Sequence, residues 1–315
     1  MTVAVPARLH LGFLDLDGGL GRRFGSIGLP IDGLGTRVAI SAADETTVDG
    51  PERERAARHL AAMQARLGMQ RPVRLTVQET VPAHAGLGSG TQIALAVAAA
   101  LRTLFGLPLD PAGDALHLGR GRRSGVGVGL FDAGGLVTDG GRAAASGVAP
   151  VVSRIAFPDQ WRVLVALDPG RQGLSGADES AAFARLPAFS PAEAAALCRL
   201  VLMQILPALC ERDLASFGAG VGALQHRLGD YYAPVQGGAR FASPQVESVL
   251  NHLQQHGATG IGQSSWGPTG FAFVASAQEA EQLAAQARAR PGAEGLDIRV
   301  CRALNRGAEI STARG

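Results

Sequence analysis

Apolar and polar positions alternate through the first sixteen residues and stop at Leu14-Asp15-Leu16-Asp17, just before a Gly-Gly turn. A period of two predicts a strand. The same reading predicts a second strand over residues 36–47 and an arginine-rich amphipathic helix over 51–67. A further strand over 73–81 runs into a glycine-rich turn. The period then changes: Ile93, Val97, Leu101 and Leu104 fall on one helical face within 93–105. Asp110-Pro111 caps a short helix. A glycine-filled loop occupies 119–129, an apolar stretch ends at Val137, and residues 155–168 read as a strand with Trp161 near its start. The second half opens on the loop Asp168-Pro-Gly-Arg-Gln-Gly-Leu-Ser-Gly. Helices are predicted over 191–210, 213–228, 244–256 and 278–290, with strands over 271–275 and 297–302. No regular βαβ rhythm emerges, which favours an α+β fold over a doubly wound sheet. Residue 160 is the natural boundary, giving segments 1–160 and 161–315 that share a cleft.

Composition narrows the function classes. The chain has 315 residues, 46% hydrophobic and 18% charged, as expected of a globular protein with a substantial core. Its net charge of +2 points to neither nucleic acid nor a membrane surface as a partner. All 29 basic residues are arginine, so Schiff-base, Walker and general-base lysines are excluded. The three cysteines, Cys198, Cys210 and Cys301, suit neither a disulfide framework nor a metal knuckle. Apolar runs such as 93–101 fall short of a bilayer span, and the expectation is a cytoplasmic protein.

Two glycine-rich segments carry the candidate chemistry. The first, Pro82-Ala-His-Ala-Gly-Leu-Gly-Ser-Gly-Thr-Gln-Ile, leads straight into the predicted helix at 93. Gly86, Gly88 and Gly90 let backbone N–H groups converge, and the helix N-terminus adds positive potential, a combination that cradles phosphate. A strand–helix turn built for tight packing reads the same way. Ser89 and Thr91 tip the balance towards a ligand, since their hydroxyls can donate or reach a magnesium ion; Gln92 follows them. The second segment, Gly262-Gln-Ser-Ser-Trp-Gly-Pro-Thr-Gly-Phe, offers Gln263, Ser264, Ser265 and Trp266 to the same ligand. Between them Arg120, Arg122, Arg123 and Ser124 lie among flexible glycines, where guanidinium forks suit phosphate oxygens. Arg8 and His10 share one face of the first strand, Asp15 follows, and His84 lies inside the cradle. Asp132 and Asp139 could sit on a metal or on developing positive charge; as isolated carboxylates they read as caps or turn residues. Asp178-Glu179 reads as a helix N-terminus where acids complement the dipole.

These segments together resemble the GHMP superfamily of small-molecule kinases over nearly the whole chain. Residues 82–91 are similar to its Pro-x-x-x-Gly-Leu-Gly-Ser-Ser motif, Ala7-Arg-Leu-His-Leu-Gly to its N-terminal motif, and 262–273 to its C-terminal one. Two positions depart. Gly90 replaces the second serine, and Gly127, in Arg123-Ser-Gly-Val-Gly, replaces the aspartate that serves several of those kinases as base. The variant wording, with Tyr232-Ala-Pro-Val-Gln-Gly-Gly, resembles the β-ribofuranosylaminobenzene 5'-phosphate synthases within that superfamily.

That resemblance implies a two-lobed fold, a ribosomal S5 domain 2-like N-terminal lobe beside a ferredoxin-like C-terminal lobe. It implies a decarboxylating transfer of ribosyl phosphate from phosphoribosyl diphosphate to 4-aminobenzoate or 4-hydroxybenzoate, in tetrahydromethanopterin biosynthesis. Magnesium and a homodimer come with it. In such a site the cradle and Ser89 would hold the diphosphate, and Arg120 or Arg123 a phosphate or carboxylate. His10 or His84 would act as base at the phenol, Asp15 would stabilise the ribosyl centre, and Trp266 would wall the ring. An ATP-dependent kinase of the same superfamily is the alternative.

Overall fold

The computed structural model describes residues 1–144, 147–174 and 176–312. A long antiparallel hairpin organises the first lobe: β1 (Thr2–Asp15) pairs with β2 (Arg22–Ala42) from Thr2↔Ala39 to Asp15↔Phe24. Its register shifts after Pro6, which has no N–H for the ladder, and again between His10 and Gly12. β3 (Thr47–Asp49) and β4 (Val73–Glu79) extend the sheet beyond β2. β5 (Leu136–Asp139), β6 (Arg142–Ala143) and β7 (Val151–Ile155) join at the N-terminal half of β2. The predicted strand at 36–47 is thus only the end of a longer one, whose first half is interrupted by glycines that break the alternation. Residues 155–168 are likewise not one strand, because Pro158 and the turn to Trp161 separate β7 from β8 (Arg162–Leu167).

Four helices accompany this sheet: α1 (Arg53–Leu67), α2 (Ser89–Leu104), α3 (Pro111–His117) and α4 (Val126–Asp132). The last begins inside the stretch expected to be a loop (119–129) and runs into the apolar stretch after it; its glycines pack closely, and Gly129 meets Val137 and Val151. Residues 92–102 of α2 are all buried, and they form the first lobe's core with Val3, Val38, Leu75 and Val77.

β8, β9 (Thr259–Gln263), β10 (Thr269–Val274) and β11 (Asp297–Cys301) make a second antiparallel sheet in the order β11-β8-β10-β9. Numbered along the chain this order is 4-1-3-2, the ferredoxin-like arrangement. Between β8 and β9 run α5 (Gly176–Arg185), α6 (Pro191–Leu200), α7 (Leu206–Glu211), α8 (Leu214–Tyr232) and α9 (Pro244–Gln255); α10 (Ala277–Arg288) precedes β11. Val201–Ile205 forms a wide π turn joining α6 to α7, just before Pro207, which cannot donate to the preceding turn. The helical stretch Pro191–Glu211 is long and apolar enough to cross a membrane by length and composition alone; a third of it is buried, against β1 and α8.

α9 and α10 cover one face of the second sheet through Leu250 and Leu283. The other face continues into the first lobe: Val163, Val165, Phe271 and Phe273 share one apolar cluster with Leu9, Leu11, Leu29 and Ile31. The expected boundary at residue 160 falls between β7 and β8. The chain nevertheless returns at its end, where β12 (Glu309–Ser311) pairs with Thr2–Ala4 at the edge of the first sheet.

Candidate active site

A cavity of about 660 Å³ opens where β1, the N-terminus of α2, the 119–124 loop, α5 and the 265–267 segment meet. The two glycine-rich segments meet there backbone to backbone. A Cβ on Gly86 would come within 2.1 Å of the Ser264 carbonyl oxygen, and one on Gly267 within 2.1 Å of that of Ala85, so neither position admits a side chain. Ser264 is fully buried and fastens three segments: its hydroxyl donates to Gly86 O (2.8 Å) and accepts from His10 N (3.0 Å). Gly88 caps α2 in the left-handed region (φ 81°) with no side-chain cap and no acid in the first turn. The helix N-terminus therefore faces the cavity with its first N–H groups uncapped by a side chain and no acid in its own first turn.

Five arginines and one carboxylate line the cavity among the described residues: Arg8, Arg55, Arg120, Arg122, Arg123 and Glu179. Arg8 lies half-buried beneath Gly88, and its Nε and one terminal nitrogen are buried with no hydrogen-bond partner in the protein. Burial lowers its pKa to about 10, while Glu179 and Asp139 act the other way. Arg120 carries another buried, unpartnered Nε, and burial and the charge of Arg55 lower its pKa. One terminal nitrogen of Arg120 lies 2.9 Å from where a Cβ on Gly90 would stand, so the glycine replacing the kinase serine leaves room for a guanidinium. The other departure, Gly127, lies against the Thr91 side chain and brings no carboxylate to the cavity. Arg123 pairs with Glu179 (2.5 Å) and lies 5.1 Å over the ring of Phe183.

His10 is 1% exposed, and both of its ring nitrogens lack a partner. Burial and the nearby Arg8 charge push its pKa well below the ordinary histidine value, so the ring is neutral at pH 7. His84, Ser89, Thr91, Ser124, Ser265 and Trp266 also line the cavity. Ser124 Oγ lies 2.6 Å from Ser26 Oγ, which donates to Asp139. That buried carboxylate also accepts from Gly125 N (2.9 Å) and Gly141 N (3.0 Å); burial raises its pKa and these bonds oppose the rise.

Four expected residues, Asp15, Gln92, Gln263 and Ser264, lie outside the cavity lining. Asp15 is outside the cavity lining, and its carboxylate accepts from Asp17 N (2.9 Å) and Gly18 N (2.8 Å), closing the turn after β1. Gln92 is buried behind the cradle and donates to Leu87 O (2.8 Å). Gln263 faces an adjoining alcove, held by Ala242 N, Gln236 and Ser265 O. Ser264 acts on the site through the backbones it joins. Sequence reading missed Arg55, Phe13 and Glu179. Arg55 looks like any solvated arginine of an amphipathic helix. Glu179 follows the loop at 168–176, and its adjacency to glycine was the one available signal.

A fold of this kind, with a glycine cradle at a helix N-terminus between two lobes, defines the GHMP class. The family described as GHMP kinases N terminal domain matches residues 54–136, and GHMP kinases C terminal matches 205–293. Solved structures agree on the fold: phosphomevalonate kinase of Streptococcus pneumoniae (TM-score 0.72, 15% identity, 96% of this chain and 99% of that one). Homoserine kinase of Cytophaga hutchinsonii is similar (TM-score 0.68, 18% identity, 98% and 96%). Closer in sequence is the β-ribofuranosylphenol 5'-phosphate synthase of Archaeoglobus fulgidus, 33% identical over 98% of this chain and 99% of that protein. The enzyme of the same description from Methanothermobacter thermautotrophicus is 28% identical over 87% and 88%. The chain belongs to the β-ribofuranosylphenol 5'-phosphate synthase family.

Proposed function

We propose that this enzyme is a decarboxylating phosphoribosyltransferase. It condenses 5-phosphoribosyl 1-diphosphate with 4-hydroxybenzoate or 4-aminobenzoate, giving a β-ribofuranosyl-aryl 5'-phosphate, CO₂ and diphosphate. The observation that carries this reading beyond family membership is Arg8. A half-buried guanidinium with two buried, unpartnered nitrogens, beneath an uncapped helix N-terminus and among four further arginines, suits a substrate bearing several phosphate groups.

In this reading the cradle amides and Arg8 take the diphosphate, and Arg120 with Arg55 or Arg122 takes the 5-phosphate. The C1–O bond breaks with its electron pair leaving on diphosphate, whose growing charge the cradle stabilises. The ring carbon bearing the carboxylate bonds to ribose C1. The bond to CO₂ then breaks and its electron pair restores the aromatic ring. No proton leaves the attacking carbon, so a cavity with neither lysine nor an acid at Gly127 suffices. Neutral His10 can take the phenolic proton as the ring carbon attacks and return it to the para oxygen when loss of CO₂ restores the aromatic ring, with His84 the other candidate.

Magnesium belongs to the same proposal. Among the described residues no group of three or more His, Cys, Asp or Glu is placed to hold a metal ion. Ser89 and Thr91 hydroxyls fit an ion that arrives on diphosphate oxygens and keeps most of its water. It would supply positive charge to the leaving group. A homodimer in the cytoplasm completes the proposal, and light scattering at micromolar concentration tests the dimer.

The deciding experiment follows CO₂ release from carboxyl-labelled 4-hydroxybenzoate and 4-aminobenzoate with phosphoribosyl diphosphate and magnesium. Release that requires both substrates is the expected result. No release with either acid, together with ATP turnover in a parallel assay, would return the protein to the kinases.

A further inference from the structure

Next to the main cavity is a separate alcove of about 20 Å³, sharing with it the walls His10, Phe13, Ser265 and Trp266. That volume is about one water molecule, since roughly 10–15 Å³ of such space already admits one. Three of its lining residues carry buried polar atoms with no partner in the protein: both ring nitrogens of His10, the Tyr232 hydroxyl and the Trp266 indole N–H. Three of its other polar residues, Gln225, Gln263 and Arg240, are already engaged. Gln225 accepts from Gln263 N (2.8 Å), Gln263 bonds Gln236 (3.0 Å), and Arg240 pairs with Asp230 (2.5 Å). Unpaired buried polar groups are rare in folded proteins, and three such side chains around one water-sized hole make a polar site. Its wall is aromatic: Tyr232 and Trp266 have centroids 4.4 Å apart, and Phe183 meets Trp266 at 5.2 Å.

We infer that this alcove seats the para oxygen of the aryl acid, with Tyr232 and Trp266 as the residues that determine acceptor specificity. The inference rests on the transferase reading above and identifies the part of the site that recognises the ring. The hydrogen-bonding inventory selects oxygen. Trp266 only donates, Tyr232 donates or accepts, and a neutral imidazole offers one donor and one acceptor. A hydroxyl can give its proton to one His10 nitrogen and accept from both Trp266 and Tyr232, which satisfies three of the four unpartnered atoms. An amino group, with two N–H donors, leaves the Trp266 N–H facing another donor. A methoxy group exceeds the volume.

The test uses Tyr232→Phe and Trp266→Phe, which keep an aromatic ring and remove the polar atom, each checked by near-UV circular dichroism. KM for 4-hydroxybenzoate should rise about 3- to 10-fold, the worth of one uncharged hydrogen bond. KM for phosphoribosyl diphosphate should stay within about twofold, since neither variant alters the arginines. Calorimetric binding of benzoate, which lacks the para oxygen, should be unchanged, and 4-methoxybenzoate should not bind the wild type. Equal weakening of benzoate and 4-hydroxybenzoate, or an unchanged KM for the hydroxy acid, would overturn the inference. The two readings fail separately. A wild type that releases no CO₂ defeats the transferase reading, whereas a wild type that turns over with variants blind to the para oxygen defeats the alcove alone.

Discussion

Arg8 illustrates at the residue scale how a site can be recognised by what it leaves unsatisfied. Its guanidinium is half-buried, with two buried nitrogens unpaired and the fields of Glu179 and Asp139 opposing the cost of that burial. A buried charge of this kind costs stability unless something binds it. Arg8→Met should therefore leave the melting temperature unchanged or higher while lowering kcat/KM by about 100-fold or more, the scale of one lost transition-state electrostatic contact. A variant that melts lower and keeps its turnover would make Arg8 structural. The histidines allow a second test. His10 is held below its ordinary pKa by burial, and His59 is lowered to about 4 by burial and by Arg120, Arg55 and Arg58. Between the folded-state values and 6.5 the unfolded chain binds more protons, so stability is full above 6.5 and falls on acidification. Melting curves from pH 7 to 5 should show this slope, and His10→Asn and His59→Asn should each flatten it. The sequence placed Arg8 and His10 on one strand face, because a period of two is a local property. It misplaced Asp15 in the site, because only the bend of β1 after His10 decides which later residues still face the cavity.

At the scale of elements, the cradle works because a turn and a strand end are locked together. Ser264 is the lock, bonding Gly86 O and His10 N from the interior. Ser264→Ala leaves both groups buried and unpaired, and should cost about 1–3 kcal/mol of stability in denaturant titration. Because it loosens the cradle against β1, it should lower kcat as well; a full stability loss with wild-type kcat would show that the lock serves folding only. The glycine motifs and α2 were legible in the chain because helix period and turn chemistry are short-range signals. α4 was not, since its glycines mimic a loop until they pack on Val137 and Val151. Nor was the first half of β2, where glycine interrupts the alternation that marks a strand. Glu179 was read as a dipole partner at the start of α5, and it becomes a cavity residue only because Arg123 meets it.

The two lobes of the whole molecule form one cooperative structure around a shared core. Phe271 and Phe273 of the second sheet share a cluster with Leu9 and Leu11 of the first, and the last strand pairs with Thr2–Ala4. Residues 1–160 expressed alone should therefore show no cooperative thermal unfolding, while the full chain unfolds in a sharp transition by circular dichroism. An independent, cooperative melt of that fragment would make the boundary near 160 a true domain limit. By itself the sequence determined the fold class, the glycine-rich turn at the start of α2 and the family, because these depend on periodicity and on motifs of a few adjacent residues. Only the tertiary structure decided which charges face one another, that Asp139 supports Ser124 through Ser26, and that Tyr232 meets Trp266 beside His10. Those contacts join residues far apart in the chain, and no local pattern encodes the closing of one lobe on the other.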